Sequence, residues 1–307
     1  MSLTVTSLDN VGVEVHGFEI IQPYTPELES ELRGLWYEHG LLLFRNQPIN
    51  PANQIAFSRV FGELEMHPIK ATTSSEHPEL FELVNGDEKD EIVSASYHGE
   101  KIVGRLDWHV DLQYTGRPNH GAVLTAVEVA AEDGLTGFGD LQKAYSSLDE
   151  TTRGLLEKIE VVYTFLMQRK YWRFVDLEGY EPNPLGPKKP TDVNFPDFPE
   201  VAYPAALAHP VTGRKVMTVV EQFLDRVLDP HGAGLSYDES FDLLHALVAH
   251  TRNPDFHYFH QWREGDMVLW DNWRFMHCAT GTRPGVRRVI NRTTIEGDAA
   301  LGRVLRA

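Results

Sequence analysis

Two short segments of the sequence combine histidine with carboxylate or guanidinium groups at spacings that suit metal chemistry. In the first, His109 and Asp111 lie two residues apart. If the segment is an extended strand, both side chains point to the same side and could hold one metal ion. A carboxylate with imidazoles suits a divalent first-row metal, and two histidines with one carboxylate leave coordination positions open. Because the chain has 14 histidines, a chance triplet is the competing interpretation, and a second histidine is needed.

The second segment, Trp270 to His277, supplies a histidine with two arginines behind it. Arg288 follows His277 by eleven residues and Arg292 by fifteen. If both arginines lie on one strand, their spacing of four residues places them on one face. A guanidinium binds a carboxylate through two parallel hydrogen bonds, so the two arginines predict an anion site beside the metal. Without the histidine, two surface arginines would be the simpler interpretation.

The elements that must position these residues alternate between short strands and capped helices. Thr25 and Pro26 predict the start of a helix, and Gly40 predicts its left-handed end. Hydrophobic periodicity and cap residues give the remaining elements. These are strands over 41–44, 122–129, 256–262 and 267–270, with a turn over 263–265, and helices over 50–62 and 141–159 and after the capping pair Ser236 and Glu239.

Two segments lack a regular period. Residues 72–104 are polar and carry charge clusters, which predicts a long exposed connection that could act as a mobile lid. Residues 179–204 hold seven prolines, which argues against a helix or a central strand and predicts an ordered loop or flap. No repeat, low-complexity tract or linker divides the chain, so we expect a single domain over residues 1–307.

The composition excludes several classes of protein. Lys and Arg number 28 against 45 Asp and Glu, and the resulting net charge of −17 argues against nucleic acid as a partner. The single cysteine, Cys278, excludes an intramolecular disulfide and a thiolate zinc site built from this chain alone. The N-terminus does not read as a signal peptide, and no window is apolar for long enough to span a membrane. We therefore expect a cytoplasmic protein with no membrane partner.

Several motifs together resemble the TauD/TfdA family, the taurine dioxygenase-like branch of the iron(II)- and 2-oxoglutarate-dependent oxygenases. The similarity runs from Gly40 to Arg292, and the spacing of 27 from His109 to Thr136 agrees with the family pattern. The matching elements are 40–45, 57–62, Trp108-His109-Val110-Asp111, Gly134-Leu135-Thr136, Trp270-Asp271-Asn272 leading to His277, and the pair Arg288 and Arg292.

The resemblance implies a role for each of these positions. His109, Asp111 and His277 would bind Fe(II), and Arg288, helped by the Thr136 hydroxyl, would bind the distal carboxylate of the cosubstrate 2-oxoglutarate. Arg292 would face the acidic group of the prime substrate. The implied reaction consumes O2, releases succinate and CO2, and oxidises the substrate, most simply by hydroxylation.

The resemblance also implies a fold, which is mainly β with flanking helices. Its core would be a double-stranded β-helix, or jelly roll, with an insertion over approximately 140–204 covering the mouth of the active site. Aromatic and basic residues of the insertion would then either shape substrate access or pack the insertion onto the core. These residues are Phe165, Arg169, Lys170, Tyr171, Trp172, Arg173 and Phe174.

The sequence departs from taurine-selective members at one motif. Where those members have His-Pro-Val-Tyr, this chain has His67-Pro68-Ile69-Lys70, so a cation replaces the tyrosine and taurine itself is placed in doubt. With Arg105 and Arg292, Lys70 would make a positive pocket for a small carboxylate, sulfonate or dianion. His67, Lys70, Arg105 and Arg292 are therefore the candidate substrate contacts. Surface positions for Lys70 and Arg105 are the alternative.

Other functions stay open at this stage. One is a non-catalytic jelly-roll protein that binds a small anion, and another is an oxygenase of the same family that performs desaturation or a different oxidation. A zinc hydrolase using the same ligands would also need a general base, which the sequence does not provide. Halogenation is disfavoured because Asp111 stands where a halide would need a small residue. The sequence leaves open both the prime substrate and a homo-oligomeric state.

Overall fold

The computed structural model describes residues 3–66, 76–86, 94–184 and 197–305, and its regular structure is mainly β. The helices are α1 (Pro26–His39), α2 (Pro51–Arg59), α3 (Leu141–Ser146), α4 (Glu150–Leu156) and α5 (Tyr237–Thr251). The strands in chain order are β1 (Thr4–Ser7), β2 (Val13–His16), β3 (Leu41–Phe44), β4 (Phe81–Asn85), β5 (Ala95–Tyr97), β6 (Glu100–Ile102), β7 (Leu106–His109), β8 (Gly121–Glu128), β9 (Thr136–Asp140), β10 (Glu160–Tyr163), β11 (Tyr180–Glu181), β12 (Val201–Pro204), β13 (Ala206–Ala208), β14 (Lys215–Met217), β15 (Leu224–Leu228), β16 (His257–His260), β17 (Met267–Asp271), β18 (Phe275–Ala279), β19 (Arg288–Ile295) and β20 (Arg303–Val304).

Two sheets carry most of the candidate site residues, namely His109, Thr136, His277, Arg288 and Arg292. The large sheet has seven strands in the order β1-β2-β3-β17-β8-β19-β4, and the small sheet has four in the order β16-β9-β18-β7. Within them, β2 and β3 are parallel and the other neighbours are antiparallel. The turn over 263–265 carries the chain from β16 in the small sheet to β17 in the large sheet.

The two sheets share one hydrophobic core. Leu124, Trp270 and Ile290 of the large sheet pack with Phe138 and Phe275 of the small sheet. The opposite face of the large sheet is covered by a second core to which α1 and α2 contribute. Because both of their faces are buried, the middle strands are continuous apolar runs such as the one at 41–44.

The predicted caps of α1 and α5 are confirmed. Thr25 accepts a hydrogen bond from the backbone N–H of Leu28, and Gly40 ends α1 with a φ of 73°. A Cβ atom at Gly40 would also lie 2.5 Å from the ring of Phe275, so the position needs glycine for space as well as for conformation. Ser236 and Glu239 form the expected capping box at the start of α5.

Three predictions of regular structure are wrong in detail. The helix expected over 141–159 is two helices, because Asp149 caps α4 and interrupts the run after α3. The connection expected over 72–104 contains β4, β5 and β6 in its described part, and β4 pairs along β19. Most residues of these three strands are exposed or only partly buried, which accounts for their polar composition. Helix α2 ends at Arg59, three residues before Gly62.

The region 140–204 contributes to a third sheet, here called the insertion sheet, with the order β15-β10-β12-β20. Strand β12 lies between β10 and β20, so the exclusion of a central strand from 179–204 is wrong. Its proline, Pro204, is the last residue of the strand, where a missing N–H costs least. This sheet and α5 enclose a core of their own, which includes Tyr163, Tyr203 and Leu244.

Two smaller sheets complete the described structure. The three-stranded sheet has the order β11-β5-β6, and β13 pairs with β14. Among the helices of the described ranges, none is long and apolar enough to cross a membrane.

Candidate metal and anion site

The structure brings His109, Asp111 and His277 together between the two main sheets. Their ligand atoms lie within 4.8 Å of one another. The Nε2 atoms of His109 and His277 are 3.5 Å and 3.4 Å from the two carboxylate oxygens of Asp111. The two histidines are cross-strand partners on β7 and β18, and so the sheet register sets their proximity.

Asp111 reaches the site by a route that strand periodicity does not describe. Strand β7 ends at His109, so the argument that two residues of one strand share a side does not apply to Asp111. Asn272 fixes the turn instead: its Oδ1 accepts the N–H of Asp111 at 3.0 Å, and its Nδ2 donates to the carbonyl of Asp111 at 3.2 Å. Asn272 is fully buried, which gives the Trp270-Asp271-Asn272 motif a positioning role.

The protonation states of the triad suit metal binding. The Nδ1 of His109 lies 2.8 Å from the carbonyl of Asp107, a contact that keeps the proton on Nδ1 and leaves Nε2 free as a ligand. Burial, with a smaller contribution from His109, lowers the pKa of His277 well below its usual value, so this ring is neutral. Burial alone would raise the pKa of Asp111, but Arg292 and the two histidines outweigh it and hold that pKa well below its usual range. Two imidazoles and one carboxylate fit a divalent first-row metal.

Arg292 lies directly on the triad. Its Nη2 donates to Asp111 Oδ2 at 2.6 Å, and its Nε donates to Thr294 Oγ1 at 3.2 Å. Its guanidinium carbon also lies 5.5 Å from the centre of the Trp270 ring. The side chain is only partly buried, so one side of the guanidinium remains open for a further anion.

Arg288 is a buried cation, and no carboxylate among the described residues forms an ion pair with it. It is 8% exposed, and its buried Nε has no hydrogen-bond partner among the described residues. Burial lowers its pKa to about 10. Because an unpaired buried charge is costly, the position is explained by a ligand that brings a negative charge, such as a carboxylate. As predicted, Arg288 and Arg292 lie on one strand, β19.

Thr136 is a hydrogen-bond partner of Arg288, with 3.5 Å between Oγ1 and Nη2. The same oxygen accepts a hydrogen bond from the indole Nε1 of Trp262 at 2.9 Å, which leaves the hydroxyl proton of Thr136 available to an anion. The sequence analysis did not assign Trp262 a role. Its contact depends on the pairing of His260 with Thr136 across β16 and β9, which no sequence spacing reveals.

The remaining candidates have other surroundings. Arg105 is exposed and stacks over Tyr97, with 4.5 Å from its guanidinium carbon to the ring centre. His67 and Lys70 lie outside the described residues. In the insertion, Phe165, Trp172 and Phe174 make ring contacts that favour the packing alternative, whereas Tyr171 is exposed. Arg169 forms a buried ion pair with Asp107.

A second group of potential ligands, His120, His209 and Asp271, has a different chemistry. The Nδ1 of His209 accepts the N–H groups of Val211 and Thr212, both at 3.2 Å, so the ring proton must sit on Nε2. That Nε2 lies 2.9 Å from Asp271 and donates to it. A metal at Nε2 would displace the only ring proton, which a metal-binding histidine normally keeps on its other nitrogen. His209 therefore binds Asp271, the residue before Asn272, through a hydrogen bond, and this arrangement does not favour a metal ion.

Comparison with known proteins gives one family. Residues 4–294 match the family described as taurine catabolism dioxygenase TauD, TfdA family. An (S)-phenoxypropionate/alpha-ketoglutarate-dioxygenase of Sphingobium herbicidovorans is 30% identical over 277 residues, which cover 88% of this chain and 86% of that protein. An alpha-ketoglutarate-dependent 2,4-dichlorophenoxyacetate dioxygenase of Cupriavidus pinatubonensis is 28% identical over 277 residues, covering 88% and 89%.

A solved structure supports the same grouping at the level of the fold. The crystal structure of a taurine dioxygenase from Burkholderia xenovorans superposes with a TM-score of 0.74 at 22% identity, covering 100% of this chain and 96% of that one.

Proposed function

The chain belongs to the TauD/TfdA family of dioxygenases, and on this premise we propose that it is an Fe(II)- and 2-oxoglutarate-dependent dioxygenase that hydroxylates a small organic anion. One observation carries the proposal. The guanidinium of Arg288, buried without a countercharge among the described residues, lies on the same strand as Arg292, which contacts the group of two imidazoles and one carboxylate. The Arg288 guanidinium needs an anion, and the two imidazoles and the carboxylate suit a metal ion. A keto acid that chelates iron would satisfy both requirements.

His109, Asp111 and His277 would hold the iron. When bound, the iron supplies the oxidative chemistry that turns 2-oxoglutarate and O2 into succinate and CO2 and oxidises the substrate. The protein supplies a fixed donor set. His109 is oriented by the carbonyl of Asp107, and Asp111 by the amide of Asn272.

Arg288 and Thr136 would bind the distal carboxylate of 2-oxoglutarate. The guanidinium offers Nε and Nη2 on one edge, a geometry that accepts a carboxylate through two hydrogen bonds. Thr136 adds a hydroxyl donor because Trp262 already occupies its acceptor side. The carboxylate would bring the charge that burial of Arg288 otherwise leaves unbalanced.

Arg292 would receive the acidic group of the prime substrate. It is the cation nearest the triad among the residues described above, and it is partly open to solvent. The two relatives reported above are named for phenoxypropionate and 2,4-dichlorophenoxyacetate, both carboxylates. We extend the class to sulfonates and sulfate esters, which present a similar set of acceptor oxygens. The accompanying fold would be a double-stranded β-helix in one domain, with the region 140–204 beside its open end.

Succinate production tests this proposal. The purified protein is incubated with Fe(II), ascorbate, 2-oxoglutarate and O2, and a panel of carboxylates, sulfonates and sulfate esters is screened for compounds that stimulate succinate formation. We expect stimulation by at least one anion class and none when iron is replaced by zinc. Binding of 2-oxoglutarate without iron-dependent succinate under any condition would instead indicate a non-catalytic anion-binding protein.

A further inference from the structure

Strand β7, which carries His109 and leads into Asp111, lies at the edge of the small sheet and pairs there with β18. Its other edge is held by side chains. The N–H of Trp108 donates to Glu221 Oε1 at 3.1 Å, and Glu221 is in turn bound by Arg252. The sheet supports β7 on one side only. The positions of two of the three proposed metal ligands, His109 and Asp111, therefore also depend on the side-chain contacts along its other edge.

A second side-chain contact holds the same strand. Arg169 donates from Nε and Nη2 to the two carboxylate oxygens of Asp107, at 2.6 Å and 2.8 Å. Each residue is only 9% exposed. The guanidinium carbon lies 4.5 Å from the ring centre of Tyr180 and 5.4 Å from that of Tyr97, and Nη2 also donates to the carbonyl of Asp176. Arg169 thus joins the insertion, the three-stranded sheet and β7 at one point.

Asp107 links this contact to the triad. Its carbonyl oxygen is the acceptor for His109 Nδ1, the bond that sets the orientation and protonation of the ring. We propose that Arg169 is a positioning residue for the metal ligand His109. By fixing the Asp107 carboxylate, it fixes the backbone segment whose carbonyl holds the imidazole. The inference rests on the proposed function, since it requires that His109 bind a metal.

The chemistry of the pair favours positioning over a purely structural role. A buried ion pair adds little net stability compared with apolar residues of the same size. Two parallel hydrogen bonds, however, fix both the distance and the rotation of a carboxylate. The aromatic rings on the guanidinium restrict it further. The combination restrains Asp107 more tightly than packing alone would.

Metal titration of the metal-free protein tests the inference. Free Mn(II) is followed by electron paramagnetic resonance, and Co(II) binding by its visible absorption, which reports ligand geometry. We expect Arg169→Met to weaken Mn(II) binding about 10-fold or more, the range for residues that orient metal ligands, and to change the Co(II) spectrum at saturation. Arg169→Lys keeps a charge but loses the bidentate geometry, so its affinity should lie between the two. It also serves as the test variant if Arg169→Met does not fold.

Three further variants separate positioning from a general loss of stability. The single variant Asp107→Asn and the double variant Arg169→Met/Asp107→Asn are titrated beside Arg169→Met. Because both substitutions break the same ion pair, the double variant should bind Mn(II) no more weakly than the weaker of the two single variants. Arg226→Met breaks another bidentate pair, with Glu200 in the insertion sheet, and should keep the parental dissociation constant. Folding of each variant is checked by circular dichroism.

The outcomes distinguish this inference from the proposed function. If the parent protein binds Mn(II) and folded Arg169→Met binds it equally well with an unchanged Co(II) spectrum, the positioning role is wrong and the proposed function stands. Additive effects in the double variant also overturn the positioning role. If the parent protein binds neither Mn(II) nor Co(II), the metal assignment fails, and the inference fails with it.

Discussion

The Nη2 atom of Arg292 lies 2.6 Å from Oδ2 of Asp111, so the arginine proposed for the substrate is hydrogen-bonded to a proposed metal ligand. The same carboxylate oxygen lies 3.4 Å from Nε2 of His277. A substrate anion that binds the open side of Arg292 would therefore share that guanidinium with Asp111. Substrate binding and the charge on the triad are coupled through one side chain.

Replacing Arg292 should affect the prime substrate first. We expect Arg292→Ala to raise the Michaelis constant for the prime substrate by about tenfold or more, the effect of losing one charge-assisted hydrogen bond. Decarboxylation of 2-oxoglutarate without substrate should largely persist. Steady-state assays of succinate and of product give both quantities, and a selective rise in the constant for 2-oxoglutarate would contradict the assignment.

Replacing a member of the triad should remove the metal. We expect His109→Ala, Asp111→Ala and His277→Ala each to abolish turnover and lower the iron content of a folded protein, because each deletes one of the three proposed protein ligands. Iron is measured by a ferrozine assay and folding by circular dichroism. Near-parental iron-dependent turnover in Asp111→Ala would show that the carboxylate is not a ligand.

Replacing Arg288 should weaken 2-oxoglutarate binding without lowering the stability of the ligand-free protein. Loss of its contact to 2-oxoglutarate is worth roughly 1.5–3 kcal/mol, so Arg288→Met should raise the Michaelis constant for 2-oxoglutarate by about tenfold or more. Burial lowers the pKa of Arg288 to about 10, so the side chain stays charged at neutral pH and its charge destabilises the ligand-free fold. The melting temperature of the ligand-free variant should therefore equal or exceed that of the parent.

A neighbouring arginine provides the control for that experiment. Arg287→Met removes an exposed guanidinium that lies 3.3 Å from Glu128, and it should change neither the Michaelis constant nor the melting temperature appreciably. Equal effects of the two variants, or a clear loss of stability in Arg288→Met, would contradict the interpretation of Arg288 as an unbalanced buried charge.

Cys278, the residue after His277, should react slowly in the native protein. Burial raises the pKa of its thiol to about 12, so at pH 8 only about one thiol in ten thousand is ionised. Reaction with Ellman's reagent should accelerate about tenfold for each unit of pH while the fold persists. In guanidinium chloride one thiol per chain should react at once, and equally rapid reaction of the native protein at pH 8 would show that β18 opens readily.

Strand and cap patterns predicted only part of the site. The placement of the two arginines on one strand follows from local spacing. The approach of His109 to His277 depends instead on the register of β7 against β18. The position of Asp111 depends on Asn272, 161 residues further along the chain. The contact between Trp262 and Thr136 depends on the register of two strands, and the one between Arg169 and Asp107 on packing between distant segments. Contacts of that kind leave no periodic trace in a sequence.

Pairing between segments that are distant in sequence also explains why the strand at Val201–Pro204 was not predicted. The proline content of 179–204 predicts an ordered loop or flap, yet this strand pairs with β10, which precedes it in the chain. Its other neighbour, β20, is about a hundred residues away and makes it an interior strand. Local composition describes a segment's own preference, whereas its neighbours are decided by the topology of the whole chain.

The order of strands in the two main sheets has a consequence for synthesis on the ribosome. Strand β17 lies between β3 and β8, β18 between β9 and β7, and β19 between β8 and β4, so the last strands translated occupy the middle of both sheets. Until they emerge, β3 lacks one of its neighbours and β8 lacks both, a state that favours aggregation and chaperone binding. A chain that stops after α5 would lack the centre of each sheet, and we expect it to aggregate rather than accumulate in soluble form.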